Sequence, residues 1–273
     1  MTNEIYGIDY LRRRLADKQT RVLLRYKYYE MKNNAQDFSS LAPEKFKGLK
    51  ETVGWCAKAV DSLADRLQFD EFQNDEFDLS EIFLSNNQDI LIDSAVLSAL
   101  ISACSFVYIR EDNGYPRLQV IDGSNATGII DPVTNLLTEG YAVLERDSMG
   151  VVKTEAYFMA GMTEIYSHGV LVQRIPNAAP YALLVPIIYR PDAKRPFGHS
   201  RISRACIAYT QTALRTIKRS EVSAEFYSFP QKYVLGLSED AEFNNRLATI
   251  SSFLNFIAGL ARSLEDALEE QFY

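Results

Sequence analysis

Cys104-Ser105-Phe106-Val107-Tyr108-Ile109-Arg110-Glu111-Asp112-Asn113-Gly114-Tyr115-Pro116-Arg117-Leu118-Gln119-Val120-Ile121 is the stretch on which the fold turns. Before Cys104 the apolar residues recur at helical spacing. From Ser105 onward they fall into short β-prone runs separated by turn dipeptides. The runs are Ser105 to Arg110, Arg117 to Ile121, Gly128 to Ile130, Gly140 to Arg146, Val151 to Ala160, Thr163 to Ser167 and Val170 to Ile175. Asn113-Gly114, Asp122-Gly123, Asp131-Pro132, Met149-Gly150 and His168-Gly169 punctuate them. Runs this short and this evenly spaced predict an antiparallel β-meander, with Leu183 to Tyr189 as a last strand. The apolar face of a meander needs a helical layer or a second sheet over it, and the helices that precede Cys104 are the obvious cover. The expected class is α+β: N-terminal helices packed on an antiparallel β-meander, then a long helix and a short terminal segment.

Toward the N-terminus, Tyr10 to Met31 is helix-forming and carries seven basic residues, Arg12, Arg13, Arg14, Lys18, Arg21, Arg25 and Lys27. They alternate with Leu11, Leu15, Leu23, Leu24, Tyr26, Tyr28 and Tyr29. Such a helix either touches phosphate or is a solvated helix whose aromatic stripe packs on the body of the protein. A loop is expected from Asn33 to Pro43. Trp55, Ala59, Leu63 and Leu67 recur every four residues and predict a helix from Thr52 to Leu67, with Thr52 as its cap. Phe69 to Asp78 reads as a surface connection into short helices, and Ile90 to Ser102 as continuous helix.

Toward the C-terminus, a loop from Arg190 to Ser200 holds Pro191, Pro196 and Gly198. Arg201 to Tyr227 contains no Gly or Pro and predicts one helix near 40 Å long at about 1.5 Å per residue. Its apolar stripe is thin: Ile202, Cys206, Tyr209, Ala213, Ile217, Ser220 and Ala224, with Arg201, Arg204, Arg215, Lys218 and Arg219 elsewhere on its surface. A long helix of that kind usually packs against other long helices. Lys232 to Leu235 is a short extended segment. The remainder, Ser238 to Tyr273, has two helical stretches and sets seven acidic residues against Arg246 and Arg262, so the chain's acidity is concentrated there.

The 273 residues, 47% of them hydrophobic, are ample for a core. The balance of 29 basic to 36 acidic residues is opposite to what a tight duplex-binding surface requires. Cys56, Cys104 and Cys206 lie far apart with no CxxC pair, which reads as reduced core residues, with metal or redox chemistry as the alternative. No secretory pattern opens the sequence. The apolar stretch Ala179 to Tyr189 is broken by Pro180 and Pro186 and is too short to span a membrane. His168 and His199 lack the spacing of a metal site; each is a structural residue or, alternatively, a lone base or ligand. Asp61 and Asp65, one helical turn apart, either hold a divalent ion or serve in a solvated ion pair with Arg66. Phosphate-cradle, dinucleotide and nucleophile-elbow motifs are absent from the sequence. The expectation is therefore a protein without a catalytic, cofactor or metal site.

Three groups of residues carry a resemblance. The first is Arg25-Tyr26-Lys27-Tyr28-Tyr29-Glu30 followed by Gly54-Trp55-Cys56-Ala57-Lys58-Ala59-Val60-Asp61-Ser62-Leu63-Ala64-Asp65-Arg66-Leu67. The second is Ile130-Asp131-Pro132-Val133-Thr134, closing on Val185-Pro186-Ile187-Ile188-Tyr189-Arg190. The third is Pro196-Phe197-Gly198-His199-Ser200-Arg201-Ile202, then Ala224-Glu225-Phe226-Tyr227-Ser228-Phe229-Pro230-Gln231-Lys232-Tyr233-Val234-Leu235-Gly236. In this order, from about residue 20 to residue 255, the chain resembles the portal proteins of tailed bacteriophages, the head-to-tail connectors.

That resemblance implies a ring, usually of twelve subunits, at one capsid vertex, through which DNA is packaged and ejected and to which the tail is joined. Residues 1–103 would be the helical part of the wing, 104–190 its β-meander, 191–228 a loop and the stem helix, and 229–273 the opening of the clip with a C-terminal helical segment. Arg201, Arg204, Tyr209, Arg215, Lys218 and Arg219 would lie along the contacts between stems, and Phe229, Pro230 and Tyr233 at the opening of the clip. The implied partners are further copies of the chain, the terminase large subunit, a head–tail adaptor, and capsid and scaffold proteins. Double-stranded DNA passes through without sequence-specific binding; no membrane and no cofactor are involved. The implied location is the virion, after synthesis in the bacterial cytoplasm. Portals usually continue through a second stem helix, a tunnel loop and a crown. Here about 35 residues follow the opening of the clip, so the chain is a fragment or Ile257 to Phe272 is a shortened return helix.

Two physical expectations run parallel. A ring needs heterologous contacts, which long helices side by side supply. A conduit for sliding DNA is better acidic than basic, because a basic lining would hold the phosphates. The competing readings are another virion or scaffold protein with no channel, and an enzyme working through His168 or His199.

Overall fold

The Asn113-Gly114 turn forms as a tight hairpin. Asn113 and Gly114 take φ of 54° and 82°, the left-handed values of a two-residue turn whose twist matches the strands it joins. Around it β1 (Cys104–Asp112) runs antiparallel to β2 (Tyr115–Ile121), with Asp112 opposite Tyr115 and Phe106 opposite Ile121. The computed structural model describes residues 5–33, 52–73, 75 and 77–228. Phe229, Pro230 and Tyr233, the rest of 229–273, and most of the loop expected from Asn33 to Pro43 lie outside the described residues. The chain divides into two compact units, residues 1–34 with 52–211 and residues 35–51 with 212–273.

Every β-prone run is a strand, but the strands are shared between two sheets. β3 (Ala126–Ile130), β4 (Leu137–Arg146), β5 (Val152–Met159), β6 (Met162–Ser167) and β7 (Val170–Pro176) make a five-stranded antiparallel meander in sequence order. β8 (Leu184–Ile188) does not extend it. Instead it returns to pair antiparallel with β1, Cys104 opposite Ile188 and Tyr108 opposite Leu184, giving a second sheet of order β2-β1-β8. The single meander expected from the sequence is thus corrected to a meander plus a hairpin closed by a returning strand. The cause is burial: one core joins Cys104, Phe106, Tyr108, Ile121 and Leu184 of the small sheet to Ala126, Leu137, Ala142, Ala156 and Phe158 of the large one. On the outer edge of exposed β7, Leu184 would lose that burial; on β1 it is fully covered.

Four helices occupy the outer faces of this unit. α1 (Ile8–Tyr29) lays Leu11 and Leu15 against Tyr141, Val143 and Tyr157, on the face of the large sheet away from the small one. α2 (Trp55–Ala64), α3 (Leu79–Ser85) and α4 (Gln88–Ser102) follow. Tyr28 of α1, Cys56 and Val60 of α2 and Leu100 and Ile101 of α4 form a second core with Ile202. Thr52 is not the cap of α2: Gly54 stands there with no side-chain hydrogen bond. Leu67 lies beyond the helix, in a tightened last turn where Arg66 and Leu67 donate to the carbonyls three residues back, Leu63 and Ala64.

Contact between α1 and the large sheet is polar as well as apolar. Glu139-Gly140-Tyr141, Glu155-Ala156-Tyr157 and Glu164-Ile165-Tyr166 sit on β4, β5 and β6, with Tyr141 opposite Tyr157, Tyr157 opposite Glu164 and Glu155 opposite Tyr166. The hydroxyl of Tyr157 donates to Glu139 at 2.6 Å, that of Tyr166 to Glu164 at 2.7 Å, and that of Tyr141 to Glu155. Glu139 also accepts the backbone N–H groups of Tyr6 and Gly7 at 2.9 Å each, at the start of α1. There its charge complements the helix dipole. Arg12 forks onto Glu155, and Arg174 reaches Glu164. Buried carboxylates are tolerated only when their oxygens are satisfied, and here tyrosines and α1 satisfy them.

The last helix, α5, runs Arg204–Ser228; its residues to Gln211 belong to the first unit and those from Thr212 to the second. Among the described residues no helix is long and apolar enough to cross a membrane.

Candidate functional site: the root of the long helix

α5 begins at Arg204 rather than Arg201 because Ser200 and Arg201 are already committed elsewhere. The last carbonyls of any helix lack partners within it. In α4 the carbonyl oxygen of Leu100 accepts the Arg201 N–H at 2.8 Å, that of Ile101 accepts the Ser200 hydroxyl at 2.6 Å, and that of Ser102 accepts the Arg25 guanidinium at 2.9 Å. Arg201 then turns its side chain to α2, donating Nε–H to the carbonyl of Ala59 at 3.0 Å. Ile202 is buried, and the Ser203 hydroxyl accepts the Cys206 N–H at 3.1 Å, capping α5.

The loop ahead of this anchor is shaped around Gly198. Its φ is 74°, and a Cβ there would stand 2.2 Å from the carbonyl oxygen of Tyr189, which accepts the His199 N–H at 2.9 Å. No other residue fits. Asp192 accepts the N–H groups of Lys194 and Arg195 and lies 2.5 Å from Nε2 of His199, whose Nδ1 is 3.2 Å from Arg195 Nη1. A carboxylate only accepts, so the Asp192 contact takes the Nε2–H of His199. The bond from His199 holds the Asp192 carboxyl below the usual range. His199 is thereby a clasp of the loop, and His168, at φ 49° beside Gly169, is a turn residue.

Distant segments meet at this root. Beside Arg25, the α1 residues Tyr26 and Tyr29 bond to Ser98 of α4 and Asp61 of α2, both at 2.9 Å. Tyr28 accepts a bond from Gln211 of α5. Cys56 Sγ lies 3.2 Å from Cys206 Sγ and 3.5 Å from the hydroxyl of Thr210. The stretches Arg25–Glu30, Gly54–Leu67 and Pro196–Ile202, separate in the sequence, are one constellation. The Ile130–Thr134 stretch is not part of it: Asp131 there closes an exposed turn, accepting Val133 N–H and the Thr134 hydroxyl.

The basic residues of α1 are mostly turned inward. Arg12 binds Glu155, Arg14 lies 5.4 Å over the Phe197 ring, Lys18 donates to the Ala126 carbonyl at 2.6 Å between Phe106 and Phe197, and Arg25 caps α4. Burial holds the Lys18 ammonium below the ordinary lysine range. Arg13, Arg21 and Lys27 remain exposed, too few for a phosphate-binding stripe. The aromatic stripe does pack on the body of the protein, with Tyr28 buried and Tyr26 and Tyr29 against the same core, but the helix is less solvated than expected, since four of its seven cations are structural ties.

Of the residues expected along the long helix, Arg201 faces α2 and Arg204 and Tyr209 are exposed, Tyr209 by 59%. In the second unit Arg215 and Arg219 are exposed and Lys218 is buried. Phe229, Pro230 and Tyr233 lie outside the described residues. Asp61 takes the Tyr29 hydroxyl, and among the described residues no group of three His, Cys, Asp or Glu side chains could hold a metal ion. Sequence reading missed the Cys56–Cys206 contact, for which no local signal exists, and the three Glu-X-Tyr tripeptides, whose repetition on adjacent β-runs was a usable one. No protein-family model matches the chain, and no curated protein matches it.

Proposed function

We propose that the chain is a subunit of the portal ring of a tailed bacteriophage, the vertex channel for DNA packaging, head–tail joining and DNA ejection. One observation carries the reading: three of the stretches that resemble portal proteins, Arg25–Glu30, Gly54–Leu67 and Pro196–Ile202, meet at the root of α5. Within the first unit the start of the helix is anchored: Ser200 and Arg201, just ahead of it, bond carbonyls of α4 and α2, and Gln211 bonds Tyr28 of α1, which suits the base of a stem that leans on neighbouring copies. Tyr209, Ile217 and Tyr227 add exposed apolar surface along α5 for such contacts. In this reading 1–190 is the wing, 191–228 the loop and stem, and 229–273 the opening of the clip. Twelve copies are expected around the axis, with terminase large subunit, head–tail adaptor, capsid and scaffold proteins docking on them, and duplex DNA passing through by virtue of shape, not sequence.

Mass photometry and negative-stain imaging of the purified chain test this directly. A closed ring with an open centre is the expected result. A particle that remains a monomer at every concentration overturns it, and open, non-closing oligomers favour a scaffold or capsid component without a channel.

A further inference from the structure

Cys56 and Cys206 are 150 residues apart in the chain, and nothing local to either predicts their meeting. Folding nevertheless sets Sγ against Sγ at 3.2 Å, on α2 and the first turn of α5, with both thiols free. Closing to the disulfide length of about 2.05 Å asks for a shift of roughly 1 Å, within reach of side-chain rotation. We propose that this pair is a redox site: on meeting a low-molecular-weight disulfide of the glutathione type it closes to a Cys56–Cys206 bond that staples the root of α5 to α2.

The two sulfurs divide the work. Cys206 is half-buried and is the one solvent reaches, whereas Cys56 is fully buried. The hydrogen bond from Cys206 lowers the Cys56 thiol to about 7, and donating that bond, with burial, pushes Cys206 up. In the first exchange the Cys206 sulfur passes its proton to the Cys56 anion and attacks one sulfur of oxidised glutathione. The glutathione S–S bond breaks, a mixed disulfide forms on Cys206, and a glutathione thiolate leaves. That thiolate takes the proton from Cys56, whose sulfur attacks Cys206 Sγ and expels the second glutathione. Two cysteines are oxidised, and one glutathione disulfide is reduced to two thiols.

Cys104 does not take part. It is buried in the sheet core, and burial raises its thiol. A reducing cytosol keeps the Cys56–Cys206 pair open, and an oxidising medium outside the cell closes it. The inference stands without the ring, because both sulfurs belong to one chain and one compact unit.

The test incubates the full folded chain with oxidised glutathione, quenches in acid, and alkylates in denaturant before peptide mass spectrometry. The expected result is a peptide pair joining Cys56 to Cys206, with Cys104 alkylated and two thiols lost. Cys56→Ser should stop at a stable glutathione adduct on Cys206. Full alkylation of all three cysteines, or a wild-type chain that keeps glutathione on Cys206 with Cys56 free, overturns the proposal. Since thiols count the same in monomer and ring, either outcome leaves the portal reading where it stood.

Discussion

Arg201 reaches back 142 residues to donate its Nε–H to the carbonyl of Ala59 at 3.0 Å, whereas Arg204, three residues further on, is exposed. One arginine ties the lead-in of α5 to α2; the other is exposed and, on the portal reading, faces a neighbouring copy. The pair therefore separates folding from association, which a joint substitution would confuse.

Arg201→Ala should lower unfolding stability by about 1.5–3 kcal/mol, the range for a hydrogen bond from a charged donor, here to a half-buried carbonyl. Arg204→Glu should leave stability within about 0.5 kcal/mol, as exposed substitutions do. Trp55, the single tryptophan, sits one residue from Cys56 at the root and reports denaturant unfolding by fluorescence. If the ring reading holds, Arg204→Glu weakens association in sedimentation while its unfolding curve stays that of the parent.

Gly198→Ala should damage the loop that feeds α5. The added carbon would meet the Tyr189 carbonyl in a backbone conformation that also disfavours it, so a loss exceeding about 1 kcal/mol is expected. Amide exchange at His199, whose N–H bonds to Tyr189, should rise more than at Ile121 in β2. Equal protection at the two sites in variant and parent would count against the account of the loop.

Arg12 and Glu155 should behave as a coupled pair. Glu155 is almost wholly buried and also holds the Tyr141 hydroxyl, so Glu155→Leu leaves Arg12 and Tyr141 with unmet donors and should cost roughly 3 kcal/mol. Arg12→Leu should cost less, because its side chain is about a third exposed. The double variant should be less damaged than the sum of the two, by at least about 1 kcal/mol, in a double-mutant cycle read from urea unfolding.

Alkaline stability should be limited by tyrosines. Burial raises Tyr26, Tyr29 and Tyr166 to about 12, and burial with a glutamate partner raises Tyr141 and Tyr157 as well. A tyrosine titrates from neutral to anion, so a raised folded value favours the protonated form. Its contribution is fully present below the unfolded value near 10 and is lost as pH rises from there through about 12. Ultraviolet titration should show an early phase from exposed rings and a late, cooperative phase coinciding with loss of the Trp55 signal. Complete ionisation of all tyrosines near pH 10 with the fold intact would contradict the buried Glu-X-Tyr geometry.

What the sequence determined by itself is local. Short β-prone runs between turn dipeptides marked the strands, Asn113-Gly114 marked the hairpin, and helix-type sequence marked α1, α2 and α4, because backbone dihedrals and side-chain period are properties of neighbours in the chain. Only the tertiary structure decided which edge took β8, which way the α1 cations point, and that Arg25, Ala59, Cys56 and Ser200 meet at one helix end. Those outcomes follow from burying apolar area while pairing the α4 and α2 carbonyls and the buried glutamates. That competition is settled among residues a hundred or more positions apart, and no window along the chain contains it.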